Sequence, residues 1–292
     1  MSELAKKVDF AIKLLHTAEE EAKRRPTNRG GQLTDYVEIA YSGGKDSDVI
    51  LHLAKMAGIK YNPIHHVTTV DPSFTIAHAR SVGAEVLFPE KSFMQLIQYG
   101  GFPTRIRRFC CKELKEKKVC NVAIHGIRKN ESRARKERYN EPQICRYYGG
   151  KKDQNVEVFL PILEWTDNDV KEFIRVHNIQ CHPLYYDEYG SFHVERRCGC
   201  QCCPLKSRKQ QLQDFLDKPK WVRAWIKNGI IWWNKPHTEY WSSGAKFGDV
   251  YNLFFNNLFC DTYYDFQQKT TGLFGKLDTK SFLEDYFKID LP

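Results

Sequence analysis

Ser42-Gly43-Gly44-Lys45-Asp46-Ser47 is the densest group of chemistry-bearing residues in the chain. It follows an apolar run from Val37 to Tyr41 and leads into a helix-forming stretch near Ser47 to Ala57. At such a strand-to-helix turn, backbone N–H groups and the helix N-terminus converge where an anion can sit, and glycine permits the close approach. The loop is not of the Walker A type, because no glycine stands five residues before Gly44-Lys45 and Asp46 occupies the Ser/Thr position. A bare structural turn would require the glycines, but not Ser42, Lys45, Asp46 and Ser47 together.

Thiols form the second group. Of ten cysteines, Cys110 and Cys111 are adjacent, and Cys198, Cys200, Cys202 and Cys203 crowd into six positions; Cys120, Cys145, Cys181 and Cys260 are scattered. The N-terminus is charged and amphipathic, without the apolar core of a signal peptide, and no window approaches the about eighteen apolar residues of a membrane span. A cytoplasmic protein without membrane association is expected, and there thiols stay reduced, so metal binding or catalysis explains them better than disulfides. The third group is basic. Residues 101–152 carry 16 Lys/Arg against 5 Asp/Glu, while the whole chain is only +9. Such a block suits nucleotide phosphate, sulfate or a nucleic-acid backbone, or is simply a solvated face.

With 292 residues, 41% hydrophobic and 28% charged, and with 18 Gly and 12 Pro, the chain is neither collagen-like nor disordered. The elements that must position these groups read as alternating strands and helices. An N-terminal helix with Val8, Ile12, Leu15 and Ala18 on one face ends at Arg25-Pro26. Strands follow at Val37–Tyr41, Asn62–Thr68, Glu85–Phe88, Val119–His125 and Glu157–Ile162. Helices are expected near Ser73–Val82 and, capped by Thr166 or Asp167, at Thr166–His177; a polar turn spans Lys151 to Val156. This grammar predicts an α/β fold with a doubly wound, Rossmann-like parallel sheet. After Pro204 it turns helical, and residues 221–266 hold 14 aromatics, five of the six tryptophans among them. Trp221 and Trp225, four apart, point to a packed lobe rather than to an exposed stacking platform. Three segments are expected: an N-terminal helix (1–34), a nucleotide-binding domain (35–205) and a C-terminal helical extension (206–292).

SGGKDS in this context is similar to the signature of the PP-loop superfamily, whose members cleave adenine nucleotides between the α and β phosphates. Further blocks follow in order: Cys110-Cys111-Lys112-Glu113-Leu114-Lys115; Gly126-Ile127-Arg128-Lys129-Asn130-Glu131-Ser132-Arg133-Ala134-Arg135; Pro161-Ile162 with Trp165-Thr166; His182-Pro183-Leu184-Tyr185; and Arg197-Cys198-Gly199-Cys200-Gln201-Cys202-Cys203-Pro204. From about Val37 to Pro204 the sequence resembles the phosphoadenosine phosphosulfate (PAPS) reductase family of that superfamily. The resemblance assigns Ser42, Gly43, Gly44, Lys45, Asp46 and Ser47 to nucleotide phosphates, with Gly126 at the strand end beside them. It makes Arg128 and Arg135 anion clamps and Lys45, Asp46 and Arg128 the catalytic group, with Glu131 able to hold an arginine in place or simply to pair at the surface. Members similar to adenylyl-sulfate reductases use a CC…CxxC set, here Cys110, Cys111, Cys200 and Cys203, to hold a [4Fe-4S] cluster. A four-cysteine zinc site is the competing reading, and Cys198 and Cys202 are surplus to either.

One departure weighs on the reaction. Sulfonucleotide reductases of the family end in a Glu-Cys-Gly-x-x-His-type tail whose cysteine attacks sulfur; the sequence shows none, and Cys260 lacks the neighbouring glycine and histidine. Nothing nearby would lower its pKa, so Cys260 is expected in the core. His65, His66 and His125 are expected as satisfied core histidines. The expectation is therefore an enzyme binding ATP with Mg²⁺, or an adenylyl sulfonucleotide, that carries out sulfur transfer to an acceptor such as nucleic acid. Sulfonucleotide reduction and a non-catalytic nucleotide-binding module remain as alternatives. Expected partners are an adenine nucleotide, a nucleic acid or a sulfur-donor or redox protein, and further copies of the chain.

Overall fold

The computed structural model describes residues 2–147, 155–236, 245–272 and 275–292; Lys151–Gln154 of the expected polar turn, and Trp241, lie outside them. In chain order the elements begin with α1 (Glu3–Arg24), a hairpin of β1 (Thr27–Arg29) and β2 (Gln32–Thr34), β3 (Val37–Ala40), α2 (Lys45–Ala57), β4 (Tyr61–His66), α3 (Thr75–Ser81) and β5 (Glu85–Leu87). Next come α4 (Phe93–Gly100), α5 (Phe109–Leu114), β6 (Val122–Ile124), α6 (Arg133–Arg138), β7 (Gln143–Tyr147), β8 (Asn155–Phe159) and α7 (Asp167–Val176). The chain closes with α8 (Arg208–Asp217), α9 (Pro219–Trp233), α10 (Val250–Phe259), α11 (Tyr263–Thr270) and α12 (Thr279–Phe287). No helix among the described residues is long and apolar enough to cross a membrane.

Two compact units form from these elements. The first comprises Met1–Val67, Asp71–Phe88 and Lys115–Gly199; the second comprises Thr68–Val70, Pro89–Leu114 and Cys200–Pro292. Both are discontinuous in sequence, whereas the linear reading divides the chain at 34/35 and 205/206.

The first unit is built on a six-stranded sheet of order β5-β4-β3-β6-β8-β7. Strands β5 to β8 along that order pair in parallel, as the alternation of strands and helices requires, and β7 closes the edge antiparallel to β8. The sequence reading missed β7. As an edge strand it alternates exposed and half-buried residues instead of presenting an apolar run. Successive residues of β6 and β8 feed opposite faces: Val122, Ile124 and Phe159 join the larger core, and Ala123, Val156 and Val158 join a smaller one with Leu160 and Leu163.

Helix α1 packs on α2 through Ala11, Leu15, Ala18 and Ala22. The buried stripe is thus displaced from the one predicted; Leu15 and Ala18 belong to it, and Ile12 is only half-buried. Small alanines on that face let the two helix backbones approach, which a count of large apolar residues overlooks. Since β3 has β4 on one side and β6 on the other, the chain reverses its direction of travel across the sheet between β3 and β6. The carboxyl ends of these two strands therefore flank a crevice, where ligands of open α/β sheets bind.

The second unit has an aromatic core. Phe93, Phe102, Phe215, Trp225, Phe254 and Phe287 are buried together, with Trp221 packed against them. Phe102 stacks on Trp225 with centroids 5.9 Å apart, and Phe215 meets Trp225 edge-on at 5.3 Å. Gly229 in α9 is required there, since a Cβ would come within 2.5 Å of the Phe102 ring. The aromatic-rich segment is therefore a packed lobe.

In the first unit, Glu38 is buried on β3 with Oε2 accepting the Cys120 N–H at 3.1 Å. Burial raises its pKa from the ordinary 4.5 to about 7, against the opposing pull of the Cys120 N–H and Arg29. Between those values the folded chain keeps a proton that the unfolded chain has released, so stability falls as pH rises through the window. The total loss is about 3 kcal/mol. Glu38→Gln, which retains the acceptor, should flatten urea-unfolding stability across this range and exceed the parent near pH 8; an unchanged slope would show that Glu38 does not titrate there.

Candidate functional site

The loop after β3 and the start of α2 form the heart of the site. Gly43 adopts φ +76°, a conformation open to glycine, and a Cβ on it would strike Thr75 Cγ2 at 2.8 Å. Gly44 is the N-cap of α2, and no side chain caps that helix. Its N–H donates to Ser42 Oγ (3.3 Å), Ser47 Oγ donates to the Gly44 carbonyl (2.6 Å), and the two serine hydroxyls lie 3.3 Å apart. The uncapped thirteen-residue helix leaves its positive end for an anion. The structure begins α2 at Lys45, two residues before the predicted start, which places Lys45, Asp46 and Ser47 in the helix's first turn.

Lys45 is buried, with Nζ 3.3 Å from Asp46 Oδ2 and 5.5 Å from the Tyr185 ring centroid. Asp46 Oδ1 accepts from Arg128 Nε at 2.7 Å. Arg128 in turn donates through Nη2 to Asp167 at 2.8 Å and through Nη1 to the Trp165 carbonyl at 3.4 Å. The Arg128 residue is only 1% exposed. Burial opposes its charge, but Asp46 and Asp167 outweigh it and raise the pKa. Arg128 therefore faces two carboxylates rather than open solution. It ties the end of β6 to the first turns of α2 and α7 and holds the Asp46 carboxylate by a hydrogen bond.

Gly126 is essential to that closure: a Cβ there would lie 3.0 Å from the Asp46 carbonyl oxygen. Glu131 Oε2 accepts from the Arg128 backbone N–H at 3.1 Å and also from Arg135 Nη1. Arg135, on α6, is the partly exposed clamp candidate of the pair. The basic block itself is divided. Residues 101–114 belong to the second unit and residues 115–147 to the first.

Around the loop the structure assembles residues that sequence reasoning missed. Asp48 is buried, accepts from the Tyr41 hydroxyl, and lies 3.0 Å from His78 Nε2. Thr75 Oγ1 is 3.2 Å from His182 Nε2 and 3.9 Å from Cys198 Sγ. Tyr185 accepts from the Cys198 N–H at 3.1 Å, and its hydroxyl sits 3.2 Å from where a Gly44 Cβ would be. Tyr41 and Asp48 flank the loop motif in sequence and could have been suspected, and His182, Tyr185 and Cys198 stand in the family blocks without an assigned role; nothing in a single sequence links Thr75 to the loop. Cys198 thus belongs to the wall of the loop, and burial pushes its thiol up to about 11.

The four thiols of the CC…CxxC set all lie in the second unit. Cys110 is buried on α5, while Cys111 and Cys200 pack against the same apolar core. The Cys110 thiol is raised well above the ordinary range, first by its hydrogen bond with Cys111 and then by burial, with Cys203 and Cys200 adding to it, so the four are neighbours. Cys200 Sγ also lies 3.5 Å from Thr68 Oγ1. Among the described residues no three Cys, His, Asp or Glu side chains are closed around a common point as metal ligands. The donors are nevertheless four soft thiols in one neighbourhood, which fits a [4Fe-4S] cluster or zinc in chemistry. Cys202 stands apart from them: it is fully buried in the aromatic core, and its N–H donates to Asp214 at 2.6 Å. Cys260 is buried in that core too, its thiol raised to about 11 by burial.

The histidines depart from expectation in part. His65 Nδ1 meets the Tyr41 carbonyl at 3.0 Å, but Nε2 of His65 and of His66 are buried without a partner among the described residues. These rings stay neutral because burial lowers their pKa values. His125, just past β6, is lowered to about 3 by burial and then by Arg146 and Arg135.

A Rossmann-like sheet with an SGGKDS loop at its switch point defines a PP-loop protein. The family profile of the phosphoadenosine phosphosulfate reductase domain matches residues 37–206, and the chain belongs to that family. It is 29% identical over 180 residues to a sulfate adenylyltransferase subunit 2 of Alkalilimnicola ehrlichii, covering 51% of this chain and 59% of that protein. A second such subunit, from Chromohalobacter salexigens, is 27% identical over 217 residues, covering 63% of this chain and 70% of its own length. Among solved structures, the phosphoadenylyl-sulfate reductase of Candida auris matches with a TM-score of 0.41 and 14% identity, over 68% of this chain and 96% of that one.

A positioning role for Arg128 has a signature that a direct phosphate clamp lacks. Arg128→Ala should lower unfolding stability without any nucleotide present, by about 1.5–3 kcal/mol for each charge-assisted bond lost. Denaturant titration measures this. Full stability combined with weakened nucleotide binding would return Arg128 to the role of a clamp.

Proposed function

We propose that the chain is an adenine-nucleotide enzyme of sulfur chemistry. ATP binds at Ser42–Ser47, an acceptor oxygen attacks the α-phosphorus, and pyrophosphate leaves with the electron pair of the α–β bridge. Sulfur at the oxidation level of sulfide then replaces the adenylated oxygen and AMP departs, so oxygen is exchanged for sulfur without net redox change. A nucleic acid is the acceptor this reading favours. The observation that carries it is the loop at the β3/β6 switch point, where an uncapped helix N-terminus stands beside buried Lys45 and the Asp46–Arg128 pair. Lys45 supplies positive charge next to the phosphates, and Arg128 fixes Asp46. The name of the relatives, sulfate adenylyltransferase, describes adenylyl transfer, the first half of the same scheme.

Cys110, Cys111, Cys200 and Cys203 are the residues that would hold a [4Fe-4S] cluster, with zinc as the alternative. Such a cluster, when bound, supplies a site where sulfur is held and handed on. Sulfonucleotide reduction is the second reading, in keeping with the family's description. The burial of Cys260 disfavours it, because that thiol would have to ionise in an aromatic core.

Two measurements test the proposal. With ATP labelled in the α-phosphate, the products should be AMP and pyrophosphate, and Lys45→Ala should slow their release by about 100-fold or more. Products of ADP and phosphate, or turnover untouched by the substitution, would overturn the reading. After anaerobic purification, Cys110→Ser or Cys203→Ser should lose bound metal, while Cys198→Ser and Cys260→Ser keep it. Stoichiometric zinc in the parent would replace the cluster, and iron loss in Cys198→Ser would move the ligand set.

A further inference from the structure

The second unit contains a cleft of about 250 Å³ that the nucleotide loop and the thiol set leave unexplained. Its walls are the loop around Arg105 and Ile106, the segment around Lys206 and Arg208, and the C-terminal half of α10. Three carboxamides converge on it. Gln211 is 8% exposed; its Nε2 donates to the Cys202 carbonyl at 3.1 Å, and its Oε1 has no partner among the described residues. Asn256 and Asn257 also line the cleft, and their side-chain amides make no hydrogen bond to the described residues. A ligand with donors and acceptors along one edge would complete the hydrogen bonding of these amides.

The remaining walls narrow the class of ligand. Trp225 and Phe254 line the cleft as well, but they are only 2% and 1% exposed. Three cations, Arg105, Lys206 and Arg208, stand against one lining carboxylate, Asp261. Arg208 is paired with Asp261 and also donates to the Cys260 carbonyl at 2.7 Å, and Lys206 is paired with Asp214, whereas among the described residues Arg105 donates only to the Lys206 carbonyl, at 2.8 Å. Ile106 is 96% exposed between Arg105 and Arg107, a large aliphatic side chain held in water among cations. Carboxamides that read a base edge, a basic rim and an apolar wedge together match single-stranded nucleic acid. The volume lies below the roughly 300–1,000 Å³ of pockets for drug-sized ligands, and so suits one base rather than a larger molecule.

We propose that this cleft takes one nucleobase of a single-stranded nucleic acid, read by Gln211, Asn256 and Asn257, with the flanking phosphates on Arg105 and Arg208. The inference names the acceptor of the proposed thiolation and rests on that reading for its purpose, but the binding itself is measured separately. The test uses the full chain, short fluorescein-labelled single strands of DNA and RNA, and anisotropy titrations over a range of salt. Arg105→Ala should weaken binding by about three- to tenfold and lower the slope of log affinity against log salt by about 0.7. Asn257→Ala should weaken it by a similar factor with the slope unchanged, as the loss of one hydrogen bond worth about 0.5–1.5 kcal/mol predicts. With the strand at saturating concentration both variants should still cleave ATP at the parent rate, and Lys45→Ala should still bind the strands. If the parent binds no strand, if both variants bind like the parent, or if free mononucleotides displace the strand at equal concentration, the cleft is not a strand-binding site. A loss of ATP cleavage in the parent with strand binding intact would instead sink the proposed chemistry and leave this site standing.

Discussion

Asp46 is the carboxylate on which the first unit's active crevice depends. It sits in the first turn of α2, where the helix dipole favours negative charge, and it is gripped by Lys45 on one oxygen and Arg128 on the other. Because Arg128 is buried, its charge requires partners, and those partners are the first turns of two helices. One guanidinium thus fixes the relative positions of the β3 loop, the end of β6 and the start of α7. Gly126 allows the approach by having no side chain at the point where β6 meets the Asp46 backbone.

That constraint bears on the proposed anion site. In it, positive charge is supplied by Lys45 and by the uncapped N-terminus of α2. Arginines in such motifs are readily read as ligand clamps. Here one of them is spent on holding a carboxylate, and Arg135 is the more exposed of the two. Behind the loop, Tyr41, Asp48 and His78 form a buried polar group, and Thr75, Tyr185 and Cys198 close the wall. Each satisfies another's hydrogen-bonding needs, which is what keeps a polar wall tolerable away from water.

The second unit follows a different logic. Its stability comes from stacked and edge-on rings, and the thiols and amides of the proposed sites stand at the margins of that aromatic core. Of six cysteines in the two clusters, four share a neighbourhood, Cys202 turns into the core, and Cys198 belongs to the nucleotide loop of the first unit. Spacing in the chain could not make this division, because Cys198, Cys200 and Cys202 alternate along one short stretch while their side chains serve three different surroundings.

By itself the sequence determined the alternating strand–helix grammar, the strand-to-helix context of SGGKDS, the family blocks from Val37 to Pro204 and the aromatic character of the C-terminal lobe. These are legible because local periodicity and glycine chemistry act over a few residues at a time. The edge strand β7 was not legible, since exposure on alternate residues leaves no apolar run. Nor were the two discontinuous units, because Pro89–Leu114 packs with residues more than a hundred positions away. Only the tertiary structure decided that Arg128 is buried between Asp46 and Asp167, that Thr75 and His182 stand behind the loop, and that His65 and His66 each keep a nitrogen without a partner among the described residues. Burial and pairing depend on which distant segments meet, and a residue's type records what it can do but not what it faces.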